Sequence, residues 1–224
     1  MKNVASLFNE TNDIEEFSKG YFEYLHSLLK QLDTGAIAKF IDELKAARKN
    51  RNTVFFVGNG GSAATASHMA NDLSLGSNLQ DDELPLRSLA LTDNTAAMTA
   101  IANDHGYENL FVQQLRVHYR RGDKLVAISA SGNSPNVIAA AEWVKKQGDT
   151  VIGLVGFDGG RLKDMCDIVI HARTSKGEYG PVEDIHIILD HLIYTWLWYR
   201  KRKKKDEMLQ KAIEKVELKH GRKK

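Results

Sequence analysis

Three features are scarce in this 224-residue sequence: cysteine, long apolar runs and net charge. The single cysteine, Cys166, excludes an internal disulfide framework, is expected to be buried, and indicates a protein of the reducing cytoplasm. No apolar run reaches the roughly 18–20 residues that a membrane-spanning helix needs, and the N-terminus contains no signal-peptide core. A net charge of +2 argues against a body that binds nucleic acid. These limits indicate one domain with terminal additions.

Positive charge is concentrated near the C-terminus, in residues 200–205 and 219–224. Runs of this kind are typical of a solvated helix extension with a frayed end. A weak contact with a polyanion or a membrane surface is the alternative. Residues 203–224 are therefore predicted to be a basic C-terminal extension outside the domain.

Strand-like and helix-like segments alternate along the middle of the chain. Apolar runs typical of strands buried on both faces cover 53–57, 87–91, 124–129, 150–155 and 167–171. Helical patterns separate them at 62–75, 94–103, 108–118, 134–147 and 160–165. This alternation predicts an α/β fold with a five-stranded parallel sheet sandwiched by helices. Ligands on such a sheet bind outside the carboxyl ends of the strands.

Further helices are predicted on both sides of this region. Apolar residues recur at helical spacing over 13–31 and 35–49, which gives an N-terminal helical segment, 1–50, ahead of the domain at 51–202. The stretch from Pro181 to Arg202 is apolar on nearly all sides, so we expect a long buried C-terminal helix. Because one small domain should not hide so much apolar surface, we expect these helices to pack between copies in a homotetramer.

The first strand leads into Gly58-Asn-Gly-Gly-Ser62 and then into a helix. Glycines let the backbone approach a ligand closely, and a helix N-terminus presents unpaired N–H groups to an anion. Ser62 is placed to cap that helix and to donate its hydroxyl to a phosphate. A turn that only reverses the chain is the alternative, but a second loop of the same kind favours a ligand site.

That second loop, Ser129-Ala-Ser-Gly-Asn-Ser134, follows another strand-like run and precedes a helical pattern. Three hydroxyls and a helix N-terminus suit the oxygens of a phosphate without a Lys or Arg. A capped turn would account for one serine. Three serines after a strand favour a phosphate site instead.

Ionisable residues recur at helical spacing in two places. His68 and Asp72 lie four residues apart and share a helix face. The pair suits a divalent metal or proton transfer, although a surface or core hydrogen-bonded pair is the plainer alternative. In the last helix, His186 and Asp190 have the same spacing and are placed to satisfy each other, since unpaired polar groups in an apolar helix cost free energy.

Glu183 and His191 in the last helix are harder to place at one metal ion. Eight residues separate them, which is about 12 Å of helical rise. They should not both reach one metal from a continuous helix without help. Either Glu183 lies on the turn before the helix, or the two residues come from different subunits.

With these segments, the chain resembles the sugar isomerase (SIS) domain family, and within it the phosphoheptose isomerases. The matching segments lie in the family's order and cover most of residues 10–200, namely 58–62 with His68, 103–106, 129–134 and 183–191. The resemblance implies a flavodoxin-like SIS fold. It also implies a cytoplasmic aldose–ketose isomerase that converts sedoheptulose 7-phosphate to D-glycero-D-manno-heptose 7-phosphate through an enediol.

The resemblance assigns roles to individual residues. It implies substrate contacts from Asn59, Gly60, Gly61, Ser62, Asn103, Asp104, Ser129, Ala130, Ser131, Ser134 and Glu183. It implies a zinc site made by His68, Asp72, Glu183 and His191. For the proton transfers we expect Asp72 or Glu183 to act as the base and His191 as the acid.

Three positions depart from the family pattern, which usually has Glu at Asp72, Gln at Glu183 and often Thr at Ala130. Aspartate is one methylene shorter than glutamate, so the carboxylate of Asp72 sits more than about 1 Å further back, and a misplacement of that size costs about 100-fold in rate. Glu183 adds a carboxylate where the family has a neutral amide. That extra charge around a bound metal is able to compensate.

Two other functions are compatible with the resemblance. The first is a non-catalytic SIS adaptor, because relatives of this fold assemble as tetramers and bind the bacterial replication initiator protein. An adaptor has no reason to keep His68, Asp72, Glu183 and His191 together. The second is an isomerase of another sugar phosphate, such as a pentose or hexosamine phosphate.

Overall fold

A computed structural model describes residues 3–76 and 84–221 of the chain. Its parallel sheet has five strands in the order β2-β1-β3-β4-β5. The strands are β1 (Thr53–Val57), β2 (Arg87–Ala90), β3 (Lys124–Ser129), β4 (Val151–Gly156) and β5 (Ile168–Ala172). This is the flavodoxin-like order of a doubly wound sheet, so the predicted fold class is confirmed.

Helices cover both faces of the sheet. They are α1 (Val4–Glu10), α2 (Ile14–Leu29), α3 (Thr34–Asn50), α4 (Gly61–Asn71), α5 (Thr95–His105), α6 (Leu110–His118), α7 (Pro135–Lys146), α8 (Gly160–Met165) and α9 (Tyr179–Gly221). A π-helical turn, Asp72–Gly76, continues α4. Helices α2, α3, α4 and α9 pack on one face, and α6, α7 and α8 pack on the other.

The strands differ in how far they are buried. β4 is buried along its whole length, and β1 and β3 are buried beyond their first residue, as expected for strands covered on both faces. The same prediction is wrong for β2, where Arg87 and Leu89 are exposed. Within the part of the chain that the structure describes, β2 is an edge strand that pairs with β1 alone, so its other side has no strand neighbour.

The N-terminal helices begin at side chains that cap them. Asp13 accepts a hydrogen bond from the Glu16 amide at the start of α2, and Asp33 caps α3 in the same way. Helix α1 opens with a capping box between Asn3 and Ser6. The sequence pattern does not predict α1, because its seven residues make only about two turns of apolar periodicity.

Two tyrosines of α2 fix the N-terminal segment to the start of α9. The Tyr21 hydroxyl donates to Asp184 Oδ2 at 2.6 Å, and the Tyr24 hydroxyl donates to Glu178 Oε2 at 2.8 Å. Glu178 Oε1 also accepts a hydrogen bond from the Val4 amide. These contacts hold residues 3–50 against the domain.

Helix α9 begins earlier and ends later than predicted, and it continues without interruption past Arg202. One face is fully buried in the core, through Val182, Ile185, Leu189 and Ile193. The other face leaves Leu192 45%, Trp196 50% and Tyr199 62% exposed. In one chain the helix is therefore buried on one side only, and its expected burial between subunits stays a prediction. Neither α9 nor any other helix of the described residues is long and apolar enough to cross a bilayer.

Cys166 lies at the end of α8 and is partly rather than fully buried. Burial, with a further contribution from Asp167, raises the pKa of its thiol to about 12. The thiol stays protonated near neutral pH, which fits a structural cysteine rather than a reactive one.

Candidate active site

The two predicted loops lie side by side at the carboxyl edge of the sheet. The first loop (58–62) leaves β1, and the second loop (129–134) leaves β3. These strands are neighbours, with Val57 of β1 paired with Ala127 of β3. Because parallel strands end at the same edge, two loops distant in sequence face one crevice at the switch point of the sheet.

Gly60 is the N-cap of α4 and has a positive φ of 54°. Gly60 offers no capping side chain, and the first N–H groups of a helix favour an anionic partner; the Glu183 carboxylate packs against Gly61 at this end of α4. The expected capping role of Ser62 is therefore wrong. Ser62 lies inside the first turn and is only 5% exposed.

An amide pair joins the first loop to the start of α7, the helix that follows the second loop. Asn59 Nδ2 donates to Asn136 Oδ1, and Asn136 Nδ2 donates to Asn59 Oδ1, both at 2.8 Å. The Tyr107 hydroxyl also donates to Asn59 Oδ1, at 3.0 Å. The sequence did not single out Asn136 or Tyr107, because their contact with Asn59 depends on the pairing of β1 with β3.

The second loop is ordered by its own serines. Ser129 Oγ is 3.2 Å from Ser134 Oγ and accepts a hydrogen bond from the Gly132 amide at 3.1 Å. Ser131 Oγ accepts from the Asn133 amide at 3.2 Å, which leaves its own O–H free to donate to a ligand. Ser134 is the N-cap of α7 and makes no side-chain cap hydrogen bond. The loop thus presents hydroxyls at the start of α7, where Pro135 has no N–H and the Val137 amide donates to Asn136 Oδ1 at 3.0 Å.

Gly132 in this loop has a positive φ of 63°, and a Cβ there would overlap the carbonyl oxygen of Gly159. Only glycine fits such a position without moving the α8 connection. Next to it, Ala130 is buried, and its carbonyl accepts a hydrogen bond from the Gly156 amide at 3.0 Å. The segment after β4 therefore helps to hold the second loop in place.

Asn103 and Asp104, which are predicted to contact the sugar, lie at the end of α5. Both are exposed, and Asn103 Nδ2 donates to Asp104 Oδ1 at 2.7 Å. The described contacts do not bring them to either loop. Their predicted role in substrate binding stays a prediction.

Four ionisable side chains meet between α4 and α9: His68, Asp72, Asp190 and His191, called here the ionisable group. Each offers one donor atom, and these four atoms lie within 4.8 Å of one another. His68 Nε2 is 3.4 Å from His191 Nε2, 3.6 Å from Asp72 Oδ2 and 4.0 Å from Asp190 Oδ2. Three of the four predicted metal ligands thus come together, with Asp190 as the fourth member.

Glu183, the remaining predicted ligand, lies elsewhere. Its carboxylate packs against Gly61 of the first loop, where a Cβ on Gly61 would overlap it. The predicted alternative in which Glu183 sits on a turn before the helix does not hold, since α9 starts at Tyr179. Whether Glu183 binds metal stays a prediction, but in this chain its carboxylate faces the glycine loop.

Asp190 and His186 are fully buried and do not satisfy each other, contrary to the expectation from their spacing. Within the described residues, neither Asp190 oxygen nor either ring nitrogen of His186 makes a hydrogen bond of normal geometry. Burial, and then the nearby charge of Asp72, raises the pKa of Asp190 to about 7. Burial lowers the pKa of His186 to about 4, so its ring is neutral near neutral pH.

A large apolar groove borders the ionisable group. Its volume is about 1030 Å³, and it runs between α3 and the exposed face of α9. Ile37 and Ile41 form one wall, and Leu192 and Trp196 form the other. His191 lies on its edge, so anything that covers the groove also covers one side of the ionisable group.

Comparison with known proteins places these features in context. The family model for the SIS domain matches residues 20–156. A phosphoheptose isomerase from Rhodospirillum rubrum is 41% identical over 158 residues, covering 70% of this chain and 82% of that protein. A phosphoheptose isomerase from Aneurinibacillus thermoaerophilus is 39% identical over 171 residues, covering 76% of this chain and 80% of that protein. The structure of phosphoheptose isomerase GmhA from Neisseria gonorrhoeae aligns with a TM-score of 0.72 at 30% identity, covering 83% of this chain and 98% of that one.

Proposed function

Because the chain belongs to the SIS domain family, we propose that it is an aldose–ketose isomerase whose substrate pair is sedoheptulose 7-phosphate and D-glycero-D-manno-heptose 7-phosphate. One observation carries the proposal: two glycine- and serine-containing loops share the carboxyl edge of the sheet, and ionisable side chains lie on the helices next to them. Such a site is able to hold a phosphate and move protons in the same molecule.

The phosphate group binds between the loops. The N-terminus of α4 offers N–H groups, and the hydroxyls of Ser131 and Ser134 are placed to donate to the phosphate oxygens. The path to the phosphate is lined by Asn59, Gly60 and Gly61, and Asn136 holds the Asn59 side chain in place. This anchoring fixes one end of the open-chain sugar, so that the other end reaches the ionisable side chains.

The reaction moves one hydrogen between two neighbouring carbons. A carboxylate, Asp72 or Glu183, removes a proton from C1 of the ketose, which gives an enediol, and a proton then returns to C2. His191 serves as the acid that exchanges protons with the two oxygens, so the C2 carbonyl becomes a hydroxyl and the C1 hydroxyl becomes an aldehyde. The side chains of His68 and His191 are both exposed to solvent, so a substrate can reach them.

The side chains present fit a divalent metal ion such as Zn²⁺. His68 and His191 offer imidazole nitrogens at close range, and Asp190 has two buried oxygens without hydrogen-bond partners in the described structure. A bound ion would be held by His68, Asp72 and His191 with one further carboxylate. It would supply Lewis-acid polarisation of a sugar oxygen.

We also propose that the chain acts as a homotetramer in the cytoplasm, with residues 1–50, 51–202 and 203–224 as its three parts. The apolar groove beside His191 supports assembly, because an exposed apolar surface of this size marks an interaction site. The single cysteine supports a reducing compartment. Light scattering measures the mass directly, and a monomer at micromolar concentration would contradict the assembly.

The decisive test of function is turnover of sedoheptulose 7-phosphate, with and without added Zn²⁺, followed through the anomeric proton signals by NMR. We expect new aldose signals, and a higher rate with Zn²⁺. Ribulose 5-phosphate, a shorter ketose phosphate, serves as the matched comparison. Faster conversion of the shorter sugar would replace the heptose assignment, and no conversion of either sugar would contradict an isomerase of these substrates.

A further inference from the structure

We infer that Asp190 is the fourth ligand of the divalent ion, together with His68, Asp72 and His191, and that Glu183 acts on the sugar instead. The assignment of Asp190 stands on the geometry of the ionisable group alone. The assignment of Glu183 to the sugar rests on the proposed function.

The burial of Asp190 is the first argument. Its side chain is 0% exposed, and it lies on the α9 face that buries Leu189 and Ile193. Neither carboxylate oxygen finds a hydrogen-bond donor in the part of the chain that the structure describes. An unpaired buried carboxylate is costly, and native proteins pair such groups or use them to coordinate metals. Within residues 3–76 and 84–221, the ionisable side chains that interact with Asp190 are His68, Asp72 and His191, so a cation among them would compensate it.

The spacing of the donor atoms is the second argument. A tetrahedral zinc site with bonds of about 2.0–2.1 Å has ligand atoms about 3.3–3.4 Å apart. His68 Nε2 and His191 Nε2 are 3.4 Å apart, and the carboxylate oxygens of Asp72 and Asp190 follow at 3.6 Å and 4.0 Å from His68 Nε2. Two imidazoles and two carboxylates also leave a divalent ion with no net charge. Small shifts are therefore enough to complete the site.

The position of Glu183 is the third argument. Glu183 and His191 belong to one continuous helix and are separated by about 12 Å of rise. The Glu183 carboxylate rests on Gly61, which precedes His68 by about two turns of α4. It therefore lies beside the loop that binds the sugar phosphate rather than within the ionisable group. A carboxylate there is placed to contact a sugar hydroxyl or to remove a proton.

Four variants of the full-length chain separate these roles: Asp190→Asn, Asp190→Leu, Glu183→Gln and, as control, Asp206→Asn. Asp206 lies on the exposed part of the same helix, so its variant removes one carboxylate without touching the site. The probes are Zn²⁺ and Co²⁺ added alone to stripped protein. Readouts are the affinity measured by chelator competition, the visible spectrum of bound Co²⁺, and the metal-dependent rise in melting temperature.

We expect both Asp190 variants to lose affinity by at least about 100-fold, which exceeds the 10–100-fold cost of losing an outer-shell partner. Glu183→Gln and Asp206→Asn should bind Zn²⁺ within about 3-fold of the parent chain and keep its Co²⁺ spectrum. Without metal, Asp190→Asn and Asp190→Leu should melt no lower than the parent chain, because both remove an unpaired buried carboxylate. Asp190→Leu keeps the test valid if the amide variant does not fold.

The outcomes are distinct for the two proposals. Unchanged affinity in both Asp190 variants, or loss of metal in Glu183→Gln, would overturn the ligand assignment even if turnover is normal. Absence of stoichiometric Zn²⁺ in the parent chain would overturn it too. If Glu183→Gln binds metal but keeps full kcat and KM, the sugar role of Glu183 is wrong. If metal binding follows the expected pattern and no sugar phosphate is converted, the proposed function fails while Asp190 remains a ligand.

Discussion

The polar side chains of the two loops have hydrogen-bond partners in the protein. In the ionisable group on α4 and α9, by contrast, the buried carboxylate lacks a hydrogen-bond donor among the described residues. Asn59 and Asn136 exchange two hydrogen bonds, and the serines of the second loop bond within the loop. In contrast, two histidine nitrogens face each other, and Asp190 has no donor among the described residues. The loops are preformed in a single chain, whereas the ionisable group keeps a buried carboxylate without a hydrogen-bond partner among the described residues.

The largest effect should come from a substitution that disrupts the second loop, which is preformed in the single chain. Gly132→Ala places a Cβ on the Gly159 carbonyl oxygen at a φ of 63°. We expect the free energy of unfolding to fall by more than about 2 kcal/mol, with loss of phosphate binding. Chemical denaturation measures the first, and phosphate-dependent thermal shift measures the second. Gly148→Ala is the control, since it has a positive φ but open space around it, and it should cost about 1 kcal/mol. Equal costs would show that the overlap at Gly132 is harmless.

The next largest effect should come from the ionisable group. His191→Gln removes the proposed acid from an exposed position, so we expect kcat to fall by about 10²–10⁴ while the melting temperature without added metal stays within a few degrees. Steady-state kinetics and a thermal melt measure the two quantities. His118→Gln, an exposed histidine at the end of α6, should leave kcat unchanged. Full turnover in His191→Gln would remove this residue from the mechanism.

A smaller effect should follow from uncoupling the loops. Asn136→Ala leaves the Asn59 amide without its reciprocal partner, so we expect KM for the sugar phosphate to rise by about 10-fold with a smaller change in kcat. Initial-rate measurements separate the two constants, and Asn50→Ala at the exposed end of α3 serves as control. A change in kcat alone would place the role of the amide pair in the chemistry rather than in binding.

A separate effect should be an acid sensitivity of folding that comes from the buried core beside the site. The folded pKa of His186 is about 4, below its ordinary value of 6.5, so the unfolded chain binds the extra proton first as the pH falls. Stability contributed by the neutral ring is complete above about pH 6.5 and is lost as the pH falls towards 4. Replacing the ring by leucine, His186→Leu, should flatten the melting temperature between pH 6.5 and 4.5. An identical pH slope in both chains would contradict this origin.

Features set by local sequence were predictable. Apolar runs predicted the strand positions, and glycines and serines predicted both loops; the structure confirms these positions. The spacing of His68 and Asp72 also placed them correctly on successive turns at the end of α4. Features that depend on neighbours distant in sequence were not. Asn136 gained its partner only through the pairing of β1 with β3. Spacing alone suggested that His186 and Asp190 pair, but i, i+4 spacing fixes a shared face and not a contact.

The continuation of α9 has a hydrodynamic consequence. A helix of 43 residues rises about 65 Å, which is well beyond the roughly 40–45 Å width of a compact domain of some 200 residues. The particle is therefore elongated, and its frictional coefficient should exceed that of a sphere of equal mass. Elution volume from a gel-filtration column will overstate its molecular weight, so subunit number has to be read from sedimentation equilibrium or scattered light.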